Sequence, residues 1–350
     1  MNIGMTTFMP SGYIHYIGIA RYEEGLIPQL RKLGIDIEPI YLNEKEIPVS
    51  PTINRIWIYL KEQMFGMKKN HDLVHASSQF SATRYTDVVT VHDMIGLKTD
   101  LSLLKKSLWH VCIPFLRRAK HIISVSNVTK TDLVSIGLDE SKITVIHNGI
   151  DTKKFYPAPD KELKEKFGGK KTLLFVGEFR KYKNVKLLFD SLVYLNMLYN
   201  EGDQYKLILV SKPSKVSLDF WNSQHYFLKY NTPPLDIVWL KEVNDDMLRK
   251  LYSTVDLFVF PSLYEGFGFP PLEAMACGTN VVAIDNAINR EILQDKAFLA
   301  KNDKVDFAKA IHYAIENKRP SSKLRSFAKR YSWEENARRV KEVYETISRV

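Results

Sequence analysis

The chain has 350 residues, of which 45% are hydrophobic and 26% are charged, and its formal net charge at pH 7 is +10. This length suits two domains better than a single core. No apolar run approaches the roughly 20 residues that a bilayer-spanning helix needs, so no membrane span is predicted. The N-terminus lacks the charged start and long apolar region of a signal peptide, and we expect it to form a first strand.

The cysteines indicate the cellular compartment of the protein, and the net charge indicates the kind of partner it binds. Cys112 and Cys277 lie far apart in apolar contexts, which indicates neither a disulfide framework nor a metal site and favours a reducing cytoplasm. The positive charge favours an anionic partner such as nucleic acid, anionic lipid or a nucleotide-linked sugar. Because the chain has no paired Cys/His ligands and no aromatic-rich basic strand, we expect no nucleic-acid partner.

Predicted strands and helices alternate along most of the chain, a pattern typical of parallel sheets with helical crossovers. A first group of strands is predicted at residues 2–8, 35–41, 73–76, 88–91, 121–125 and 144–147. The fourth of these is followed directly by His92 and Asp93. Ligands of open α/β sheets gather at the carboxyl ends of strands, so we expect His92 to lie at a cleft. Asp93 either orients His92 or caps the next helix.

Two segments of the first half combine basic residues with apolar or aromatic ones. Residues 53–69 interleave the two kinds, and residues 105–120 carry basic clusters at both ends of a predicted helix. Such helices can lie on anionic lipid. Either segment alone is explained as well by a half-buried helix with a solvated basic face. Together with the net charge, they predict a peripheral contact with an anionic membrane surface.

A domain boundary is predicted within residues 148–159, which are rich in turn formers. It separates a first domain, residues 1–155, from a second, residues 156–331. Further strands are predicted at residues 172–176, 206–210, 236–240, 257–260 and 280–283. A final helix over residues 332–348 opens with a Ser-x-x-Glu capping pattern.

The most informative stretch is residues 256–278, DLFVFPSLYEGFGFPPLEAMACG. Its apolar start predicts a buried strand followed by a glycine-rich loop, and Pro270 and Pro271 fall where a helix can begin. A helix N-terminus beside small residues suits an anion. Glu265 and Glu273 would repel a phosphate unless they face hydroxyl groups. The stretch therefore predicts a ligand that carries both phosphate and polyol.

This stretch resembles the signature of family 4 of the retaining, nucleotide-sugar-dependent glycosyltransferases, with two spaced glutamates, two glycines and a double proline. The resemblance implies a GT-B fold, an α/β architecture of two Rossmann-like parallel-sheet lobes facing a cleft. The first lobe would serve the acceptor and the second the donor, and the C-terminal helix, residues 332–350, would cross back to the first lobe. Asn280 departs from the family, which usually has proline there.

The same resemblance implies roles for individual residues. Glu273 would hold the ribose of the nucleotide, and Glu265 would be a catalytic residue beside the donor sugar. His92 resembles a catalytic histidine that contacts that sugar. Gly18 opens a GIARY sequence similar to a GIGRY-like one just before the first helix, where a flexible backbone can close over the donor diphosphate. The loop is expected to bind the same diphosphate through its backbone at Gly266, Phe267, Gly268 and Phe269.

The segment after the first strand of the second lobe, FVGEFRKYKN, departs from the family pattern. The family places an arginine after the glycine and a lysine five residues later, and both neutralise the diphosphate. Lys183 stands at the lysine position, but Glu178 reverses the charge at the arginine position. Arg180 can supply the missing guanidinium, whose fork suits a phosphate.

These observations predict a retaining, metal-independent hexosyltransferase that uses a nucleotide diphosphate sugar and a hydroxyl acceptor, implied to be a glycan or a lipid-linked saccharide. The resemblance implies no bound metal, and no Asp-x-Asp motif of the metal-dependent class stands at a strand end; no other cofactor is expected. Same-face attack is the expected mechanism, and a double displacement through a carboxylate is the alternative. The rival hypotheses are an inactive GT-B binding or scaffold subunit, which Glu178 favours, and a sugar-nucleotide epimerase. We expect a cytoplasmic protein, peripheral on the cytoplasmic face of the membrane.

Overall fold

The computed structural model describes residues 1–7, 17–41, 71–99, 103–199, 204–213, 218–219, 236–241 and 243–349. Residues 53–69, one of the segments predicted to contact a membrane, lie outside this set. In the described parts of the chain, no helix is both long and apolar enough to cross a bilayer.

The described strands form two parallel sheets of six strands each. The first sheet contains β1 (Asn2–Thr7), β2 (Asp36–Tyr41), β3 (Leu73–Ala76), β4 (Val88–Val91), β5 (His121–Ser124) and β6 (Ile143–Val145). The second contains β7 (Lys171–Val176), β8 (Tyr205–Val210), β9 (Asp236–Leu240), β10 (Leu257–Phe260), β11 (Asn280–Ile284) and β12 (Phe298–Ala300).

Helices occupy connections between these strands, and three more follow the last strand, β12. They are α1 (Ile17–Lys32), α2 (Ile95–Lys98), α3 (Leu103–Arg118), α4 (Asn127–Ser135), α5 (Lys161–Lys166), α6 (Val185–Tyr199), α7 (Asp245–Thr254), α8 (Phe269–Ala276), α9 (Ala287–Leu293), α10 (Lys304–Glu316), α11 (Ser321–Ala328) and α12 (Trp333–Ser348). Several begin where a side-chain oxygen accepts a hydrogen bond from a first-turn amide, and the capping residues include Ser126, Asp160, Asn244, Asn286, Asp303 and Ser332.

The chain folds into two units. One comprises Met1–Gly149 and Tyr331–Val350, and the other comprises Ile150–Arg330. The C-terminal helix α12 therefore belongs to the first unit, as the GT-B architecture requires.

Each sheet contains one point where the direction of strand addition reverses. The first sheet has the order β2-β1-β3-β4-β5-β6, so β2 lies on one side of β1 and the later strands lie on the other. The second has the order β12-β11-β10-β7-β8-β9, so the reversal falls between β7 and β10. Crevices for ligands open at the carboxyl ends of the strands at such a switch point.

Burial explains why the inner strands are mostly apolar. All residues of β3, β4, β10 and β11 are buried. A parallel sheet is covered by helices on both faces, so its inner strands have no solvent-facing side on which polar residues would be favoured.

The predicted strand ends and the structure differ at a few places. The strand β6 ends at Val145 instead of residue 147, because the carbonyl of His147 accepts a hydrogen bond from Asn336 Nδ2 at 2.7 Å. The strand β12 was not predicted, since three residues are too short to show a period. Gly18 was placed before the first helix, which is wrong: it is the second residue of α1, because the following residues, Ile-Ala-Arg-Tyr, tolerate helical geometry.

Helix α12 is anchored to the first unit by Trp333. Its indole is 6% exposed and lies where Cβ atoms at Gly25 of α1 and at Gly149 would otherwise stand. The ring also meets Tyr22 edge-on, with centroids 6.0 Å apart. Close approach of helix to helix therefore depends on a glycine at position 25.

A buried chain of polar groups adds a second link between α12 and the sheet. Tyr344 Oη lies 2.6 Å from His75 Nδ1, and His75 Nε2 lies 2.9 Å from Thr90 Oγ1. Thr90 Oγ1 in turn lies 2.8 Å from Tyr22 Oη. All four residues are at most 1% exposed. Burial, with a smaller contribution from His92, lowers the pKa of His75 to about 3, so this imidazole is neutral.

We predict that Gly25→Ala destabilises the first unit by about 1–3 kcal/mol, because the new methyl group overlaps the Trp333 indole. Overlap outweighs the gain of about 1 kcal/mol that alanine brings in a helix. Hydrogen exchange of the α1 and β1 amides measures the effect. Gly18→Ala is the matched control, since no described atom lies within 4 Å of a Cβ there. Equal stability for Gly25→Ala and Gly18→Ala would contradict the packing argument.

We also predict that the first unit loses stability as the pH falls below about 6.5. The folded pKa of His75, about 3, is below its unfolded value, so between these limits the unfolded state binds the extra proton. His75 should by itself lower the free energy of unfolding by up to about 1.4 kcal/mol per pH unit, and His92 of the same unit, whose pKa is lowered to about 4, adds to the fall. Hydrogen exchange of the β3 and β4 amides at pH 7, 6 and 5 tests this. In His75→Gln the slope should flatten; an unchanged slope would assign the effect to another group.

Candidate functional site

The candidate site lies at the switch point of the second sheet, where the loops after β7 and β10 run side by side. The amide of Leu263 donates to the carbonyl of Tyr182 at 2.8 Å and ties the loops together. Asn286, at the start of α9, supports the same loop by donating from Nδ2 to the carbonyl of Ser262 at 3.1 Å. One backbone hydrogen bond and one side-chain hydrogen bond therefore hold the loop in this geometry.

Across this crevice Lys183 and Glu265 form an ion pair. Lys183 Nζ donates to Glu265 Oε1 at 2.6 Å, and the two side chains are only 15% and 11% exposed. The ammonium also lies 5.8 Å from the centre of the Phe260 ring. The structure thus brings together two residues that the sequence assigned to the diphosphate and to the sugar.

Arg180 is bound to its own neighbour. Its Nε donates to Glu178 Oε2 at 2.6 Å, and these side chains are 34% and 44% exposed. An ion pair this exposed contributes little to stability, so its geometry can change at small cost. The pairing satisfies the carboxylate that reverses the family's charge at position 178.

The glycine-rich loop leads directly into helix α8. Gly268 is the N-cap with φ +87°, a conformation that side chains rarely adopt, and prolines follow in the first turn. Phe267 is 5% exposed and meets Phe269 edge-on, with centroids 5.3 Å apart. Aromatic packing therefore fixes the loop, and the N-terminal end of the helix, whose dipole favours an anion, begins at this loop.

Glu273 lies one turn into α8 and is only 2% exposed. Tyr252 of α7 donates a hydrogen bond from its hydroxyl to Glu273 Oε2 at 3.1 Å, and Thr279 in turn bonds the carbonyl of Tyr252. The carboxylate is thus held in one orientation. A ligand can reach it over only a small part of its surface.

Asn280, the residue that departs from the family pattern, has a structural role. Its Oδ1 accepts from the amide of Arg319 at 2.9 Å, and its Nδ2 donates to the carbonyl of the same residue at 3.2 Å. This reciprocal bridge fixes the segment before α11. Proline could not make either bond, and no site residue is involved.

In the first unit, His92 follows β4 as predicted. Its Nε2 lies 2.8 Å from the carbonyl of Ser77, so that nitrogen carries the proton, and its amide donates to Gln79 Oε1 at 3.1 Å. The ring meets Tyr22 edge-on at 4.9 Å between centroids. Burial lowers the pKa of His92 to about 4, so the imidazole is neutral near pH 7. Asp93 Oδ1 accepts from the amide of Ile95, the first residue of α2, although the N-cap position itself is occupied by Met94.

Sequence reasoning missed the residues that position these groups. Asn286, Tyr252, Ser77 and Gln79 lie in separate parts of the chain and carry no motif. One signal was present: Ser77 directly follows β3, the kind of strand-end position that singled out His92.

The described residues include part of those that bear on the predicted absence of a metal and on the predicted membrane contact. Within the described ranges, no three His, Cys, Asp or Glu side chains are grouped so that they could hold a metal ion. Of the basic residues in the 105–120 segment, Lys120 pairs with Asp87 at 3.3 Å, and Arg117 donates to the carbonyl of Ile136 at 3.5 Å.

Comparison with known proteins identifies related families and folds. The family described as Glycosyl transferases group 1 matches residues 159–340, and Glycosyltransferase Family 4 matches residues 18–154. The O-antigen chain mannosyltransferase RfbU of Salmonella typhimurium is 26% identical over 282 residues, covering 79% of this chain and 74% of that protein. The lipopolysaccharide core biosynthesis mannosyltransferase LpsB of Rhizobium meliloti is 29% identical over 248 residues, covering 67% and 68% of the two chains.

A solved structure supports the architecture. The crystal structure of Anabaena Alr3699/HepE in complex with UDP and glucose has a TM-score of 0.71 and covers 98% of this chain and 99% of its own. Its sequence identity is 17%, so this likeness concerns the fold alone. The two six-stranded parallel sheets described above are those of the GT-B architecture.

Proposed function

This chain belongs to the group 1 glycosyltransferases, and we propose that it moves a hexose from a nucleotide diphosphate sugar to a hydroxyl of its acceptor, with retention and without a metal. The observation that carries the proposal is the ion pair between Lys183 and Glu265 at the switch point of the second sheet. A cation for phosphate and a carboxylate for sugar hydroxyls stand there side by side, next to the N-terminus of α8.

The pair accounts for how the site is stable before a donor binds. Lys183 and Glu265 neutralise each other at 2.6 Å in a largely buried position. On binding, the donor diphosphate replaces Glu265 as the partner of Lys183, and Glu265 turns to accept hydrogen bonds from sugar hydroxyls. Both groups keep a partner throughout, so neither buried charge is left uncompensated.

The chemistry then depends on stabilising the leaving diphosphate. The bond from the anomeric carbon to the phosphate oxygen breaks while a bond to the acceptor oxygen forms on the same face, and the departing phosphate oxygen takes the acceptor's proton. Lys183 and the backbone at Gly266, Phe267, Gly268 and Phe269 would offset the charge that develops. Arg180 would contribute after leaving Glu178, and Glu273 would bind the ribose.

The first unit supplies the remaining proposed contacts. His92, neutral and anchored through Nε2, would contact the donor sugar, and Gly18, exposed in the first turn of α1, would approach the diphosphate. The relatives that transfer mannose to O-antigen or lipopolysaccharide core support a hexose donor and a glycan or lipid-linked acceptor. Such an acceptor fits a cytoplasmic enzyme peripheral on the membrane, which lipid-vesicle cosedimentation tests.

The experiment that tests the function is a thermal-shift screen of nucleoside diphosphates and their sugars, followed by product analysis. A ligand that binds only the native state raises its melting temperature. GDP-mannose and UDP-glucose should be included. Release of nucleoside diphosphate with transfer to a glycoside supports the enzyme. Binding without turnover would favour an inactive subunit, and an isomerised sugar nucleotide would favour an epimerase.

We predict that Glu273→Gln weakens binding of the nucleoside diphosphate about ten- to hundredfold, because a charged acceptor for the ribose is lost. The amide oxygen can still accept from Tyr252, so the fold should survive. Calorimetry with the ribo- and the 2′-deoxynucleotide measures the effect. Wild type should discriminate between them and the variant should not. Unchanged affinity in a folded variant would refute the ribose role.

We also predict that Lys183→Ala weakens nucleoside diphosphate binding about ten- to hundredfold, because it removes a cation and leaves Glu265 unpaired beside the phosphates. The double variant Lys183→Ala/Glu265→Ala should bind more tightly than Lys183→Ala alone. Affinity for the bare nucleoside should change little in either.

Variants of two residues near Lys183 serve as comparisons. Lys181→Ala removes an exposed lysine from the same turn and should leave binding unchanged. Arg180→Ala should weaken binding less than Lys183→Ala, since Arg180 is more exposed than Lys183 and water screens its charge more strongly. If Glu265→Ala fails to restore any affinity to the Lys183→Ala protein, the two residues do not share the phosphate site.

A further inference from the structure

The switch point of the first sheet holds a carboxylate that the proposed function does not use. Glu23 extends from α1 across the ends of β1 and β3. Ser77, directly after β3, donates from Oγ to Glu23 Oε1 at 2.5 Å, and Thr7, the last residue of β1, also hydrogen-bonds the carboxyl. The side chain thus bridges the two strands between which the strand order reverses.

The setting of Glu23 differs from that of Glu265. Glu23 is half-buried, and in the described part of the chain no lysine or arginine forms an ion pair with it. Burial raises its pKa, with hydrogen bonds from Ser77 and Thr7 acting in the opposite direction. Burying a carboxyl costs free energy even when two hydroxyls hydrogen-bond it. A neutral residue could make the same hydrogen bonds at lower cost, so a purely structural role does not explain a glutamate here.

His92 lies in the same crevice. The carbonyl of Ser77 accepts from His92 Nε2 at 2.8 Å while the hydroxyl of Ser77 holds Glu23. One residue therefore sets the positions of both a carboxyl and an imidazole at the ends of neighbouring strands β3 and β4.

The chemistry of this crevice selects its ligand. Glu23 and the adjacent Glu24 disfavour a phosphate, since both are acidic and the nearby imidazole of His92 is neutral. Hydroxyl groups suit it, because a carboxyl accepts hydrogen bonds from several donors at once. A saccharide presents such hydroxyls on adjacent carbons.

We propose that Glu23, held across the switch point by Ser77 and Thr7, binds the hydroxyls of a saccharide acceptor and places it beside His92. That the bound saccharide is an acceptor rests on the proposed function. Saccharide binding itself can be tested without turnover.

The binding test uses three probes: octyl α-mannoside, octyl β-glucoside and octyl β-galactoside. Their binding to the full chain is measured by saturation-transfer NMR. Wild type should bind at least one probe. Glu23→Gln, which keeps the shape of the side chain, should weaken that binding about tenfold or more. Glu24→Gln is the matched control: it removes the same charge from an exposed neighbour on α1 and should bind as wild type does.

Ser77→Ala provides a second variant in case Glu23→Gln fails to fold. It removes the hydroxyl that holds Glu23 but keeps the backbone carbonyl that anchors His92. The probe should bind more weakly than to wild type, by a smaller factor than in Glu23→Gln. The affinity for nucleoside diphosphate should stay within twofold of wild type in both variants.

The outcomes separate this inference from the proposed function. If wild type binds none of the three glycosides, or if Glu23→Gln and Ser77→Ala bind them as wild type does, the acceptor site is refuted. A parallel loss in Glu24→Gln would refute it also, since a general charge effect would then explain the result. If the glycosides bind through Glu23 but no nucleotide sugar is turned over, the transferase proposal fails and the saccharide site stands.

Discussion

The reversal of strand order within each parallel sheet is the constraint on which the rest of this structure depends. Where β1 meets β3, and where β7 meets β10, the connections leave toward different neighbours and the strand ends open a crevice. Backbone cannot fill such a crevice without losing its own hydrogen bonds. Side chains do so here, and the residues to which we assign chemistry lie at these two points, at the helices that start beside them or, for His92, at the end of the adjacent strand β4.

Each crevice contains a partly buried carboxylate, but different groups stabilise it in the two crevices. The crevices therefore favour different ligands. Glu265 is neutralised by Lys183, and both would be costly to bury alone. A phosphate can replace one member of that pair, so the second unit suits an anionic ligand with hydroxyls. Glu23 is held by hydroxyl groups from Ser77 and Thr7 instead. Because no lysine or arginine among the described residues forms an ion pair with Glu23, this position suits a neutral polyol.

In the first unit, a series of contacts connects helix α12 to His92. Trp333 fixes α12 against Gly25, and Tyr344 reaches through His75 and Thr90 to Tyr22. The ring of Tyr22 then meets His92. A helix contributed by the last residues therefore determines the setting of a histidine that follows the fourth strand. This chain of contacts explains why the C-terminal helix belongs to the unit it completes.

Local chemistry was sufficient for much of this protein. The bounds of β3, β4, β9 and β10 follow from short apolar runs, and the start of α12 follows from the cap at Ser332. The family signature around Glu265 is likewise contiguous in sequence. These features depend on neighbours within a few residues, which periodicity and capping rules describe.

Contacts across long sequence separations were decided only by the tertiary structure. Lys183 and Glu265 are 82 residues apart, and their motifs assigned them to different groups of the ligand without showing that they neutralise each other. Gly18 proved to lie inside α1, β12 was too short to predict, and Glu23 carried no motif at all. Which strand ends become neighbours depends on the order of strands in the sheet. That order is set by packing of the whole unit, and no local pattern of residues encodes it.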